Sequence, residues 1–150
     1  MRAIFPGLRI GYSLAPDCLV PNALAALAAL AGPVSTPVQL MTAAFIASGG
    51  LERALSEVRA AMHARMAALA EALSAHMPES GFEMPGGGIY AWLPTGGLSG
   101  DDASRAAREE GVSVSSGRMF HISGKDPFAV RLSISSVPAL RMNEIVRRLH

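Results

Sequence analysis

The chain has 150 residues, half of them hydrophobic, with 13 basic residues against 12 acidic ones and a formal net charge of +1. That size suits one domain-scale core, the apolar share argues against disorder, and the interspersed charges argue against a nucleic-acid surface, which needs clustered cations. The single cysteine, Cys18, cannot pair within the chain, so a reducing cytoplasm is the expected location.

In chain order, Arg9 to Leu14 is predicted as a buried strand ended by Pro16 and Asp17. Asn22 is placed to cap an alanine-rich helix that stops at Gly32-Pro33. Its apolar stretch, Ala23 to Ala31, is too short to span a bilayer, so no membrane association is expected. Ser35-Thr36-Pro37 opens a second helix that runs to about Ala47, with Gly49-Gly50 behind it.

Leu51, Leu55, Val58, Met62, Met66, Leu69, Leu73 and Met77 then recur at spacings of three and four, the stripe of a long amphipathic helix ended by Pro78. The methionines at that spacing are core filler. After Gly81 the period changes to two. Phe82 and Met84 alternate with polar or small residues, and Gly86-Gly87-Gly88 turns the chain into a strand at Ile89 to Leu93. Ser99 and Asp102 form a capping-box-like start for a helix through Glu110, stopped by Gly111. Val112 to Ser115 is predicted as a short strand. A longer one spans Phe128 to Ser135, with Val130, Leu132 and Ile134 on one face and Arg131 and Ser133 on the other. Arg141 to Leu149 closes the chain as a helix. The expected class is α+β, a small mixed sheet with helices on one face.

Few residues carry chemistry by local context. Arg9 sits among glycines that permit close approach of an anion. Arg131 lies inside an apolar strand, where a charge needs a partner or a solvated face; both a carboxylate fork and a solvated edge arginine satisfy that pattern. Lys125, the sole lysine, stands in the turn Ser123-Gly124-Lys125-Asp126-Pro127, the wrong setting for an imine-forming amine, which wants a desolvated pocket. His63, His76, His121 and His150 have no metal-ligand spacing, so no metal site is expected. The glycine run at Gly86 lies between strands and is no dinucleotide fingerprint.

The opening stretch Ile4-Phe5-Pro6-Gly7-Leu8-Arg9-Ile10-Gly11-Tyr12 resembles the segment after the cofactor lysine in fold type I, pyridoxal-phosphate-dependent aminotransferases. Pro85 to Leu93, Gly117-Arg118-Met119-Phe120 and Arg131-Leu132-Ser133 resemble three further motifs of that family, in the same order. Within it, Ile46 to Arg53, and Ser116 to Phe120 with Ser123-Gly124-Lys125, are most similar to the aminotransferase-like domains of GntR-type regulators of the MocR group.

The resemblance implies a remnant of the large domain at 1–50 and a small C-terminal domain at 51–150 led by an interdomain helix. It implies Arg9 as the cofactor-phosphate ligand and Arg131 as the holder of a substrate α-carboxylate. It sets Arg2 where the imine lysine belongs, and a guanidinium offers no amine for that chemistry, so no catalytic residue is expected. The implied parent is a regulator that senses pyridoxal phosphate or an amino compound, is a homodimer, and reaches DNA only through an N-terminal winged helix. The alternatives are a piece of a free-standing aminotransferase of the 2-aminoadipate type, acting on an α-amino acid, and a stand-alone dimerisation module. In each case this stretch, cut short of the lysine, is expected to be inactive and to bind pyridoxal phosphate weakly or not at all.

Overall fold

The computed structural model describes residues 6–150; Arg2 lies outside them. The chain divides into two compact units, Met1–Val58 and Arg59–His150.

The first unit is helical. Helix α1 (Val20–Leu30) starts two residues before Asn22, with Pro21 in its first turn, where a missing N–H costs nothing. Gly32 ends it in the left-handed region at φ 67°, its N–H returning to Leu27 O at 3.1 Å. Helix α2 (Thr36–Ala47) follows from Ser35 with Pro37 in its first turn. Gly49 then turns the chain at φ 71° into α3 (Gly50–His76). The turn is tight at Gly50 too: a Cβ there would stand 2.5 Å from the Phe45 ring.

The strand expected at Arg9 to Leu14 does not form. That stretch is unpaired, and Leu14 is 94% exposed. A strand is held by a neighbour's N–H and C=O groups, and this unit has no strand among its described residues to supply them.

The second unit carries the sheet. Strands β1 (Tyr90–Pro94), β2 (Ser115–Ser116) and β3 (Ala129–Ser133) lie in the order β1-β3-β2. The α+β class holds, but both pairings are antiparallel rather than mixed. Ala91, Leu93, Val130, Leu132 and Ile134 form the inner face. Against it pack Met66, Leu69 and Leu73 of α3, Ala107 of α4 (Gly100–Glu109), and Met142 and Val146 of α5 (Met142–Leu149). The amphipathic stripe read from the sequence is thus the face that α3 buries.

Two expected strand segments are shorter or absent. Val112 and Val114 are buried, but the Val112 N–H goes to Ala107 O at 2.8 Å, and Val114 O accepts from Ser104 Oγ at 2.9 Å. Their backbone groups are thereby spent on the end of α4, and only Ser115 and Ser116 join the ladder. Phe82 and Met84 lie outside the sheet: Phe82 packs against the core as an isolated anchor while Met84 is exposed. Alternation there has no neighbouring strand to pair with.

Helix α4 begins as its capping box predicts. Ser99 Oγ accepts from the Asp102 N–H at 3.1 Å and donates to Asp102 Oδ2 at 2.6 Å. That hydrogen bond, with the Arg105 guanidinium beside it, holds the Asp102 carboxyl below the usual aspartate range. A depressed folded pKa adds stability that is complete above the ordinary aspartate value and is lost as pH falls through the folded value. Amide protection factors in the first turn of α4, which correct for the intrinsic slowing of exchange in acid, should therefore fall as pH drops below the ordinary aspartate range, by a modest factor because the pair is exposed. The variant Asp102→Asn should flatten that acid dependence, and equal slopes for the two proteins would contradict it.

Candidate functional site

The inner face of the sheet packs against α3, α4 and α5, and Arg131 stands on the other face. Tyr90 and Trp92 of β1 and Arg131 and Ser133 of β3 alternate with the core residues and point there. The register sets Trp92 opposite Arg131 on one side and Ser115 opposite it on the other.

A further contributor arrives from outside the strands. A 3-10 turn, Gly117–Phe120, follows β2 directly and brings Phe120 over the sheet. Glycine is needed at its start for space: a Cβ on Gly117 would stand 2.6 Å from Ala129 O and 3.0 Å from Trp92. The loop beyond is tied down at both ends. Arg118 Nε donates to Gly124 O at 3.1 Å, while Asp126 accepts from the N–H groups of Gly100 and Phe128, both at 2.8 Å. The second bond helps to hold Phe128 in the left-handed region at φ 50°, which costs a non-glycine residue about 1–2 kcal/mol.

The result is an arginine stacked on two rings. The Arg131 guanidinium carbon lies 4.0 Å from the Tyr90 ring centroid and 3.8 Å from that of Phe120. Trp92 meets Phe120 edge to face, with centroids 6.4 Å apart and planes at 72°. Among the described residues no carboxylate pairs with the Arg131 side chain and no protein acceptor takes its N–H donors. Arg105, Arg118, Arg141 and Arg148, by contrast, each pair with an acid. A half-buried guanidinium stacked on rings, with no acidic side chain paired to it among the described residues, has N–H donors of the geometry that suits a carboxylate.

Arg9 is placed differently. It follows a 3-10 turn at Pro6–Leu8, is exposed, and has a left-handed backbone at φ 50°. It belongs to the first unit, and Arg131 with its rings to the second. Lys125 is exposed beside Gly124, whose φ is 68°. Among the described residues no group of three or more His, Cys, Asp or Glu side chains could hold a metal, and no helix is long and apolar enough to cross a membrane.

Sequence reasoning singled out Arg131 but not the rings that hold it. Tyr90 and Trp92 share outward parity with Arg131, a signal available once β1 and β3 are paired. Phe120, eleven residues before Arg131, lies outside the strands and has no parity signal; it stood out only as the end of the Gly117-Arg118-Met119-Phe120 motif.

The family model for aminotransferase class I and II matches residues 4–149. The HTH-type transcriptional regulator TauR of Rhodobacter capsulatus is 26% identical over 154 residues, covering 99% of this chain and 31% of the regulator. Among solved structures, the α-aminoadipate aminotransferase LysN of Thermus thermophilus, complexed with N-(5'-phosphopyridoxyl)-L-leucine, is 26% identical with a TM-score of 0.86. The match covers 96% of this chain and 37% of that one. A multiple substrate aminotransferase from Thermococcus profundus is 26% identical with a TM-score of 0.88, over 96% of this chain and 36% of that one. The chain thus spans about a third of the length of these relatives.

The family implies pyridoxal phosphate in its full-length members. The described residues do not fit its covalent attachment, because the one lysine is an exposed turn residue beside Asp126. No imine step is derived for this chain.

Proposed function

Because this chain belongs to the class I and II aminotransferase family, we propose that Arg131 holds the α-carboxylate of an amino-acid ligand. We further propose that the chain is the C-terminal part of the aminotransferase-like effector domain of a GntR/MocR-type transcriptional regulator. The observation that carries the first statement is the stacked guanidinium without an acidic partner. The likeness to an HTH-type regulator over nearly all of this chain supports the second. In this reading 51–150 is the small domain, 1–50 belongs with the large one, and Arg9 serves the cofactor phosphate. The parent senses pyridoxal phosphate or an amino compound, acts as a cytoplasmic homodimer, and contacts DNA through a separate N-terminal domain.

A free-standing aminotransferase of the 2-aminoadipate type is the second reading, favoured by the equal identity to LysN. The coding sequence upstream of Met1 discriminates, since a basic winged-helix segment belongs only to the regulator.

The carboxylate assignment has a direct test. Titrating the isotope-labelled protein with L-leucine at constant ionic strength should shift the Arg131 Nε–H and the Ser115 and Trp92 amides. The variant Arg131→Met should weaken binding roughly 10- to 100-fold, as expected for loss of a charge-assisted bidentate contact. Equal binding by both proteins refutes the assignment.

A further inference from the structure

The turn that brings Phe120 to the sheet is poorly explained by packing. Phe120 is 42% exposed, and its neighbours Met119 and Ile122 are more exposed still, so this turn gains little from burial. The ring contacts resolved for Phe120 are with Arg131 and, edge-on, with Trp92. Gly117 is nevertheless required where it stands, and Arg118 and Asp126 anchor the following loop. Such anchoring of an exposed ring makes sense if the ring acts on Arg131.

We propose that Phe120 is a positioning residue, which with Tyr90 clamps the Arg131 guanidinium so that its in-plane N–H rim is presented to the ligand. The inference rests on the reading of Arg131 as a carboxylate fork and adds to it the source of its preorganisation. Arginine has a long, rotamer-rich side chain, and an unclamped one must be frozen when the carboxylate arrives. The guanidinium carbon lies 4.0 Å from one ring centroid and 3.8 Å from the other, close enough for both rings to attract the cation and limit its motion, while its N–H donors make no protein hydrogen bond among the described residues and remain for a carboxylate. Freezing the side chain beforehand removes that cost from binding. The device lies within the Arg59–His150 unit, since Tyr90, Phe120 and Arg131 all belong to it.

Acetate is a sufficient probe, because the clamped guanidinium engages only the carboxylate of the ligand. In the wild-type protein the Arg131 Nε–H resonance should be moved by the ring currents of its neighbours before any ligand is added. It should move again on acetate titration at constant ionic strength. The variant Phe120→Leu, which keeps an apolar side chain, should return the free resonance toward that of an exposed arginine. It should also weaken acetate binding on the order of five-fold, with the thermal midpoint little changed. Phe120→Tyr, which restores the ring, should recover both readouts.

A Phe120→Leu protein that binds acetate as the wild type does, or whose free Arg131 resonance is unmoved, overturns the clamp while leaving the fork intact. A wild-type protein whose Arg131 resonance ignores acetate overturns the fork, and the clamp with it. Loss of binding in both variants alike, with a lowered thermal midpoint, would show Phe120 to be merely structural.

Discussion

Replacing Leu73 by alanine should destabilise the Arg59–His150 unit by about 3–4 kcal/mol, within the range for large-to-small changes at closed core positions. Leu73 is 1% exposed and belongs to the cluster that joins α3 to the inner face of the sheet. Leu69, one turn earlier, is equally buried, so α3 meets the sheet along a continuous row and has little freedom to collapse into the gap. Alanine's better helix propensity returns only a few tenths of a kcal/mol. Domains of this size are commonly stable by about 5–15 kcal/mol, so the loss is a large share of the total. The measurement is urea unfolding followed by fluorescence of Trp92, the sole tryptophan, which lies on β1 of this unit. A midpoint shift worth less than about 1 kcal/mol would mean that the row is not close-packed.

The second large effect is expected at Gly117→Ala. The new Cβ would stand 2.6 Å from Ala129 O, 2.9 Å from Pro127 Cγ and 3.0 Å from Trp92. The nearest of these is backbone of β3, which cannot swing aside as a side chain can. The Gly117–Phe120 turn must therefore lift off the sheet. Overpacking of this kind costs about 1–3 kcal/mol. The distinguishing consequence is at the site, because the lifted turn withdraws Phe120 from Arg131. Gly117→Ala should reproduce the Arg131 resonance and the weakened acetate binding of Phe120→Leu while also lowering the thermal midpoint. A variant with unchanged stability and an unchanged Arg131 signal would show that the close approach at Gly117 relaxes without consequence.

Gly49 and Gly117 illustrate two different constraints that call for glycine. Gly49 adopts φ 71°, so its neighbours in the α2–α3 turn depend on a backbone shape that L-residues rarely take. Gly117 has no such conformation and is required only because another backbone passes close to it. The first kind is legible in a sequence as a helix stop. The second is visible only when the neighbouring strand is in place.

The same division runs through the whole chain. Helices α2 to α5 were legible because their signals are local: Pro37 in a first turn, the three-and-four spacing from Leu51 to Met77, the Ser99–Asp102 cap, the glycine stop at Gly111. The side of β3 that carries Arg131 was legible for the same reason, since strand parity follows from neighbouring residues.

The strands themselves were less so, because a strand exists only through a partner distant in sequence. Arg9 to Leu14 has the composition of a strand and no described neighbour to pair with. Val112 and Val114 have it too, but their backbone groups are taken by α4. The amino-acid sequence by itself determined which segments coil, which faces are apolar, and that Arg131 lies outside the core. Only the tertiary structure decided that β1 and a turn after β2 bring Tyr90 and Phe120 onto that arginine. Contacts across 41 and 11 residues of chain (131 less 90, and 131 less 120) arise from strand register and loop anchoring, which no local pattern encodes.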